Sequence, residues 1–223
     1  MLKAMVTTMT KEIIGLIIRV IDYKESSQIL HLLTDSKIES IMCRGIKKTT
    51  SKLKGYILSY NYVKCFATDG KMPILTDILV IDSYKNIQNN VNKFKYAGLL
   101  INMLYKEQYE NNKVYALALK SIKFINDSNE EYYYNTFLLK NLYFMGIGLN
   151  SGSNNVNDLL GYNIYESNIV TKNDSFNIDI NKEDTLKIFE TYYSKLEDMV
   201  DIKLDMLNDF LKKYYEIHAS MKM

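Results

Sequence analysis

The segment from Arg44 to Gly55 has the side chains best suited to chemistry with a polyanion. It holds five cations, contains no carboxylate and has a glycine near each end; the residues concerned are Arg44, Gly45, Lys47, Lys48, Ser51, Lys52, Lys54 and Gly55. Lys and Arg side chains contact phosphate oxygens, and each contact releases counterions, so that affinity depends on salt. We therefore predict a flexible basic loop that binds phosphates. An ordinary solvated loop is the alternative.

Aromatic side chains of the same region could add contacts to unpaired bases. Tyr23 lies in the turn after the first strand-like segment, and Tyr60 and Tyr62 lie in the strand-like segment that follows the basic loop. Stacking of bases on aromatic rings is tolerant of sequence. The chain has 19 tyrosines, most of which must pack in a core. Core packing is therefore the alternative for each of these three candidate stacking residues.

Residue sets for catalysis or metal binding are missing from the sequence. The two histidines, His31 and His218, are far apart, and no Gly-Lys-Ser/Thr phosphate loop is present. Cys43 and Cys65 lie in apolar segments without Cys-x-x-Cys spacing, which favours two buried thiols over a zinc site or a disulfide framework. We expect no enzymatic activity, no metal and no cofactor.

The net charge of +2 hides an uneven distribution. Residues 1–80 carry twelve Lys/Arg and seven Asp/Glu, whereas the remainder carries sixteen and nineteen. The first part is thus +5 and the rest −3, which points to a polyanionic partner for the first part. The apolar run at residues 13–18 is too short for a membrane span or a signal core. We therefore expect a cytoplasmic protein with no membrane partner.

Five short apolar segments must position these residues. Turn-forming residues separate segments of strand character at residues 14–21, 28–34, 38–43, 56–66 and 74–81. Five such strands in about 70 residues are typical of an OB-type barrel, and an SH3-like barrel fits nearly as well. The tyrosines and the basic loop would then lie on one small β-domain.

After Asp82 the apolar spacing changes to that of helices. The pattern predicts helices near residues 94–105, 115–125 and 132–145 and two more after residue 181, while residues 158–180 give no clear assignment. The predicted fold class is α+β. It consists of a five-stranded OB-type barrel at residues 1–82 and an all-helical domain at residues 83–223.

Motifs in the first part resemble the RecO family of recombination mediators. The turn Arg19-Val-Ile-Asp22-Tyr23-Lys-Glu25 is followed by Leu33-Thr34 and then by Arg44-Gly-Ile-Lys-Lys with Ser51-Lys-Leu-Lys-Gly. Order and spacing match the family over residues 12–60, with weaker similarity to about residue 150. Many relatives have four cysteines after the position of Gly146, and this sequence has none there, so the family's zinc is not expected.

The resemblance implies an OB fold with a helical C-terminal domain that binds single- and double-stranded DNA and anneals complementary strands. It also implies a RecR-type protein and the single-strand-binding protein as partners, indirect action on RecA, and a bacterial, nucleoid-associated location. The DNA contacts that we predict are Arg19, Arg44, Lys47, Lys48, Ser51, Lys52 and Lys54. Two other functions stay open: an OB-fold protein that binds single-stranded RNA, and a protein-docking adaptor without nucleic-acid binding.

Overall fold

The protein consists of a five-stranded antiparallel sheet followed by helices, and its α+β layout confirms the prediction. The structure is a computed structural model that describes residues 10–106, 111–151 and 158–220. The strands of the large sheet are β1 (Thr10–Tyr23), β2 (Ser27–Leu33), β3 (Ile38–Cys43), β4 (Asn61–Thr68) and β5 (Leu75–Ser83). They lie in the order β3-β2-β1-β4-β5.

The sheet is not closed into the predicted barrel. The described residues hold a single link between its edge strands, a parallel bridge of Met42 and Ile74, in which the Met42 N–H donates to the Pro73 carbonyl at 2.8 Å. β3 ends one residue later at Cys43, and the chain then leaves the sheet for the basic loop. The ladder has no further residues of β3 to pair with β5, so closure stops at this bridge.

Strand β1 is long enough to serve two partners. Its first half pairs with β4, from Thr10 to Leu16, and its second half pairs with β2, from Leu16 to Tyr23. Gly15 lies at the changeover, where a Cβ atom would approach the Leu33 carbonyl oxygen to 2.7 Å. A side chain at this position would therefore force the two strands apart.

Alternation along the strands forms one apolar core on the inner face of the sheet. Ile17, Leu30, Leu32, Val63 and Cys65 are fully buried there. Both cysteines lie in this core as free thiols, and burial raises the pKa of each to about 12. The predicted third strand has the bounds of β3, but the fourth begins at Asn61 instead of residue 56. A short 3-10 helix, Lys54–Tyr56, precedes it.

Three helices belong to the same compact unit as the sheet. They are α1 (Lys85–Asn89), α2 (Val91–Lys106) and α3 (Lys113–Asp127). The buried Asn126 side chain joins α3 to α1 by accepting the Ile87 N–H at 3.2 Å. This first unit ends at Ser128, whereas the sequence placed the domain boundary at residue 82.

The second unit begins at Asn129 and combines helices with a small sheet. Its elements are α4 (Glu130–Phe144), β6 (Leu159–Asn163), β7 (Asn168–Thr171), β8 (Ile180–Asn181), α5 (Lys182–Tyr193) and α6 (Leu204–His218). The sheet has the order β7-β6-β8 and occupies the region that the sequence left unassigned, so this part is not all-helical. None of the described helices has the length and apolar character needed to cross a membrane.

Candidate nucleic-acid interface

The basic loop is fastened to the sheet at both ends. Ile46 and Ile57 are buried in the core of the large sheet, and Leu53 packs partly against the same core. The loop therefore has an apolar side that holds its backbone and a polar side that faces solvent. The sequence predicted a flexible loop because the cations dominate its composition, whereas the three apolar anchors give it a defined place.

The loop also lies against the turn between β1 and β2. The Lys47 N–H donates to the Ser26 carbonyl at 3.0 Å, and the Gly45 N–H donates to Ser27 Oγ at 3.3 Å. Gly45 has a φ of +65°, a conformation that glycine adopts without strain. Turn and loop together form what we call the basic surface, consisting of Lys24, Arg44, Lys47, Lys48, Ser51, Lys52 and Lys54.

One predicted contact of the basic surface is already engaged in an ion pair. Lys47 Nζ lies 2.7 Å from Asp22 Oδ2, and Asp22 also accepts a hydrogen bond from Gln28 Nε2 at 3.0 Å. The hydrogen bond from Lys47 and then that from Gln28 lower the pKa of Asp22 below its ordinary value of 3.8. Lys47 thus holds the loop against the turn, and its charge is partly neutralised by Asp22 before any ligand binds.

The other four cations of the predicted loop are available to a ligand. Arg44, Lys48, Lys52 and Lys54 are exposed, and within the described part of the chain none of them forms an ion pair. Ser51 is partly exposed, and its backbone N–H donates to the Lys48 carbonyl at 3.1 Å. The structure therefore brings these five predicted residues together on one solvent-facing segment.

Arg19 lies outside the basic loop, on strand β1. Its guanidinium is 6.0 Å from the centre of the Tyr105 ring, and it faces His31 across the β1–β2 pair. The Tyr105 ring also meets the His31 ring edge to face at 6.0 Å. Arg19 is exposed but is held by an aromatic contact with α2 and is not part of the basic surface.

The three candidate stacking tyrosines have different environments. Tyr60 is only 4% exposed and packs edge to face on Phe94 at 5.5 Å, and burial raises the pKa of its hydroxyl to about 12. Its ring is closed off from any base, so it has a packing role. Tyr62 is half-buried with its ring parallel to that of Tyr84 at 6.5 Å. Tyr23 is exposed beside the basic surface, with Lys24 Nζ at 5.4 Å from its ring centre.

Sequence reasoning missed a second basic segment, which lies in α1 and α2. Residues 83–106 contain four lysines, Lys85, Lys93, Lys95 and Lys106, and no carboxylate. These lysines follow residue 80 and therefore belong to the part of the sequence whose net charge is −3. A charge count in a sliding window finds this segment, because residues 83–106 contain no Asp or Glu. Residues 40–68 contain none either.

Metal ligands do not cluster in the part of the chain that the structure describes: no group of three or more His, Cys, Asp or Glu side chains is arranged around a common point. His31 lies on β2, where Ser40 Oγ is 3.4 Å from its Nδ1. Burial, followed by the charge of Arg19, lowers the pKa of His31. The chemistry that this arrangement offers in the first unit is the binding of anions by exposed cations.

Comparison with known proteins places the same region in a family. Residues 9–84 match the family model described as "Recombination protein O N terminal". The DNA repair protein RecO of Halalkalibacterium halodurans is 27% identical over 119 residues, which are 51% of this chain and 46% of that protein. The DNA repair protein RecO of Syntrophomonas wolfei is 26% identical over 132 residues, 56% of this chain and 51% of that protein.

Solved structures add little to this assignment. The crystal structure of the S. pombe Stn1-ten1 complex matches with a TM-score of 0.28 at 15% identity, over 44% of this chain and 78% of that one; a score this low supports no conclusion about fold or function. The sequence matches span about half the length of the curated relatives. Residues 9–84 of this chain are therefore similar to the N-terminal domain of the RecO family.

Proposed function

We propose that this protein acts in DNA repair and recombination by binding DNA through its basic surface. The observation that carries the proposal is the set of four exposed cations that form no ion pair with any residue the structure describes, held on an anchored loop inside the region that matches the RecO family. The similar proteins are themselves named DNA repair proteins. An anchored loop loses little conformational freedom when it binds, which favours affinity.

The chemistry of the basic surface suits sequence-independent binding. Arg44, Lys48, Lys52 and Lys54 would contact phosphate oxygens of single- and double-stranded DNA, and counterion release would drive the association. A surface that neutralises phosphates also lowers the repulsion between two complementary strands, so we include strand annealing in the proposal. The exposed ring of Tyr23 would stack on an unpaired base beside these contacts.

The same proposal includes protein partners and excludes turnover. We infer that a RecR-type protein and the single-strand-binding protein are partners and that the complex helps RecA to load on DNA, by analogy with the family. The protein would bind and present DNA without catalysing a reaction and without a cofactor. The acidic second unit would be repelled by DNA and thus stay open to protein contacts.

The test is the salt dependence of DNA binding, measured by fluorescence anisotropy with a labelled 20-nucleotide oligothymidine. The triple variant Lys48→Glu/Lys52→Glu/Lys54→Glu should bind at least about 100-fold more weakly than the wild type at low salt. Its plot of log affinity against log salt should lose about 2 from its slope, because single-stranded contacts contribute about 0.7 each. Lys47 stays unchanged so that its ion pair with Asp22 keeps the loop in place.

The matched control reverses three exposed lysines of the second unit, Lys182→Glu/Lys195→Glu/Lys212→Glu. It changes the net charge equally and should leave the affinity within about threefold of the wild type. Equal losses in both variants would show that only net charge matters and would contradict a localised site. Tighter binding of single-stranded RNA than of DNA at equal salt would favour the RNA-binding alternative. Absence of all nucleic-acid binding, with a RecR-type partner still bound, would favour the adaptor.

A further inference from the structure

Four large apolar side chains are exposed on two segments that lie against each other, one of which continues from the basic loop. Tyr56, Leu58, Val91 and Phe94 are between 47% and 84% exposed, and we call them the aromatic shelf. Tyr56 and Leu58 follow Lys54 on the same segment, and Val91 and Phe94 lie three residues apart on one face of α2. Exposed apolar side chains that lie close together are a common feature of ligand-binding surfaces.

Specific contacts bring the two halves of the shelf together. The Phe94 ring packs edge to face on the buried Tyr60 ring at 5.5 Å. Gln88 Nε2 donates to the Ser59 carbonyl at 2.8 Å, and the Tyr84 N–H donates to the Tyr60 carbonyl at 3.0 Å. These two hydrogen bonds hold α1 against residues 59–60, and the ring contact places Phe94, near the start of α2, on the buried Tyr60 ring.

Charge indicates what kind of ligand would cover the shelf. Both segments that form it, residues 40–68 and 83–106, lack Asp and Glu entirely. Lys52, Lys54, Lys85 and Lys95 are exposed on these segments. A ligand that fits here must combine negative charge with flat apolar groups, and single-stranded nucleic acid has both, in its phosphates and in its unstacked bases.

We propose that the aromatic shelf binds unpaired nucleobases of a single strand whose phosphates lie on the basic surface, with Phe94 as the principal stacking ring. This inference rests on the proposed DNA binding and extends it to a region of α2. In this proposal the stacking residue is Phe94, whose ring packs on Tyr60, and not Tyr60 itself. It also gives the protein a means to distinguish single strands from duplex, because paired bases are stacked on one another and cannot reach the shelf.

The test compares ligands that differ only in their bases. Phe94→Leu keeps an apolar side chain but removes the ring, so its affinity for a 20-nucleotide oligothymidine should fall about 5- to 100-fold. Its affinity for an abasic 20-nucleotide strand and for a 20-base-pair duplex should stay within about twofold of the wild type, and the salt slope should not change. Phe176→Leu, which removes an exposed ring from the second unit, serves as the matched control.

A second readout uses the absence of tryptophan from the chain. Phe94→Trp introduces a single indole whose fluorescence should be quenched when oligothymidine binds and unchanged when the abasic strand binds. Phe176→Trp should respond to neither ligand. This measurement does not require that the variant lose affinity, so it remains decisive if Phe94→Leu lowers stability through the lost contact with Tyr60.

The two proposals fail in different ways. Equal binding of oligothymidine and abasic strand by the wild type, with no quenching at Phe94→Trp, would overturn the shelf while leaving the phosphate site intact. Failure of the wild type to bind any strand would overturn both. Sedimentation that shows a dimer in the wild type and a monomer in Val91→Lys would assign the shelf to a second copy of the chain and would also overturn the nucleobase proposal.

Discussion

The two compact units carry opposite charge. The first, ending at Ser128, contains nineteen Lys/Arg and eleven Asp/Glu, and the second, from Asn129, contains nine and fifteen. The first unit is therefore +8 and the second −6, although the chain as a whole is only +2. This contrast is stronger than the one obtained by dividing the sequence at residue 80, because α1 to α3 add lysines to the basic unit. We therefore expect the first unit, and not the second, to contact a polyanion.

The units also differ in how they bury polar groups. In the first unit the sheet core is almost entirely aliphatic. In the second unit, tyrosine hydroxyls are hydrogen-bonded inside the core: Tyr214 donates to the Ile147 carbonyl at 3.0 Å, and Tyr215 donates to the Leu138 carbonyl at 2.8 Å. A buried hydroxyl needs such a partner, so the second unit depends more on directional bonds and the first more on apolar packing.

The largest expected effect is the loss of stability when a core leucine is truncated in either unit. Leu30→Ala in the first unit and Leu142→Ala in the second each remove a fully buried side chain and should lower the free energy of unfolding by about 2–5 kcal/mol. Denaturant unfolding followed by circular dichroism measures this loss. Under native conditions Leu142→Ala should keep the DNA affinity of the wild type. Leu160→Ala, on the exposed side of β6, is the control and should change stability little.

A smaller effect concerns a device that both units share, a lysine that caps the end of a helix. Lys140 Nζ donates to the Thr191 carbonyl at 2.9 Å, the Tyr192 carbonyl at 3.1 Å and the Ser194 carbonyl at the end of α5. In the first unit, Lys93 Nζ donates to the Ile125 carbonyl at 2.6 Å and to the Ser128 carbonyl at the end of α3.

Replacing either lysine by methionine removes the hydrogen-bond donor of these carbonyls and should therefore lower stability. Lys140→Met should lower the free energy of unfolding by about 1–3 kcal/mol, and Lys93→Met should lower it by an amount in the same range. Thermal unfolding measures both, with the exposed Lys123→Met as control. An unchanged midpoint for Lys140→Met would show that water replaces the ammonium without loss.

The smallest expected effect is on the pKa of two carboxylates, one of which is bonded to a charged lysine and the other to neutral groups. Lys47 lowers the pKa of Asp22 in the first unit, whereas the hydroxyl and N–H of Thr171 lower the pKa of Asp174 in the second. Because both values lie below the ordinary 3.8, each interaction contributes stability above that pH, and the contribution is lost as pH falls through the lowered pKa.

Carboxyl titrations by NMR separate the two cases. Lys47→Met should raise the pKa of Asp22 and leave that of Asp174 unchanged. High salt should likewise raise the Asp22 value in the wild type, because salt screens an exposed ion pair but not a neutral hydrogen bond. A rise at both residues would contradict the assignment of Lys47 as the main cause at Asp22.

Much of the first unit was predictable because its signals are local. Turn residues and period-two alternation located five strands, and β3 was predicted with its true ends. The fourth strand was placed five residues too early, because Tyr56 and Leu58 have strand propensity but lie on the surface, around Ile57 in the core. Closure of the sheet was predicted from the number and length of the strands, and neither of these shows how far the two edge strands pair with each other.

The candidate site was predictable in its composition but not in its connections. The cations of the basic loop are evident in the sequence, whereas the pairing of Lys47 with Asp22 joins residues 25 positions apart. Tyr60 is buried, has a left-handed φ of +67° and packs on Phe94 of α2, and none of these features can be read from alternation. The small sheet of the second unit has strands of five, four and two residues, too short to give a periodic signal.

The placement of the two cysteines makes thiol labelling a probe of how often the first unit opens. Cys43 and Cys65 both lie in the core of the first unit, the second unit contains no thiol, and burial keeps both thiols protonated with pKa values near 12. A thiol reagent added to the native protein can therefore react only when the first unit opens. The labelling rate reports the opening of that unit alone, and bound DNA should slow it if the ligand holds the basic loop closed.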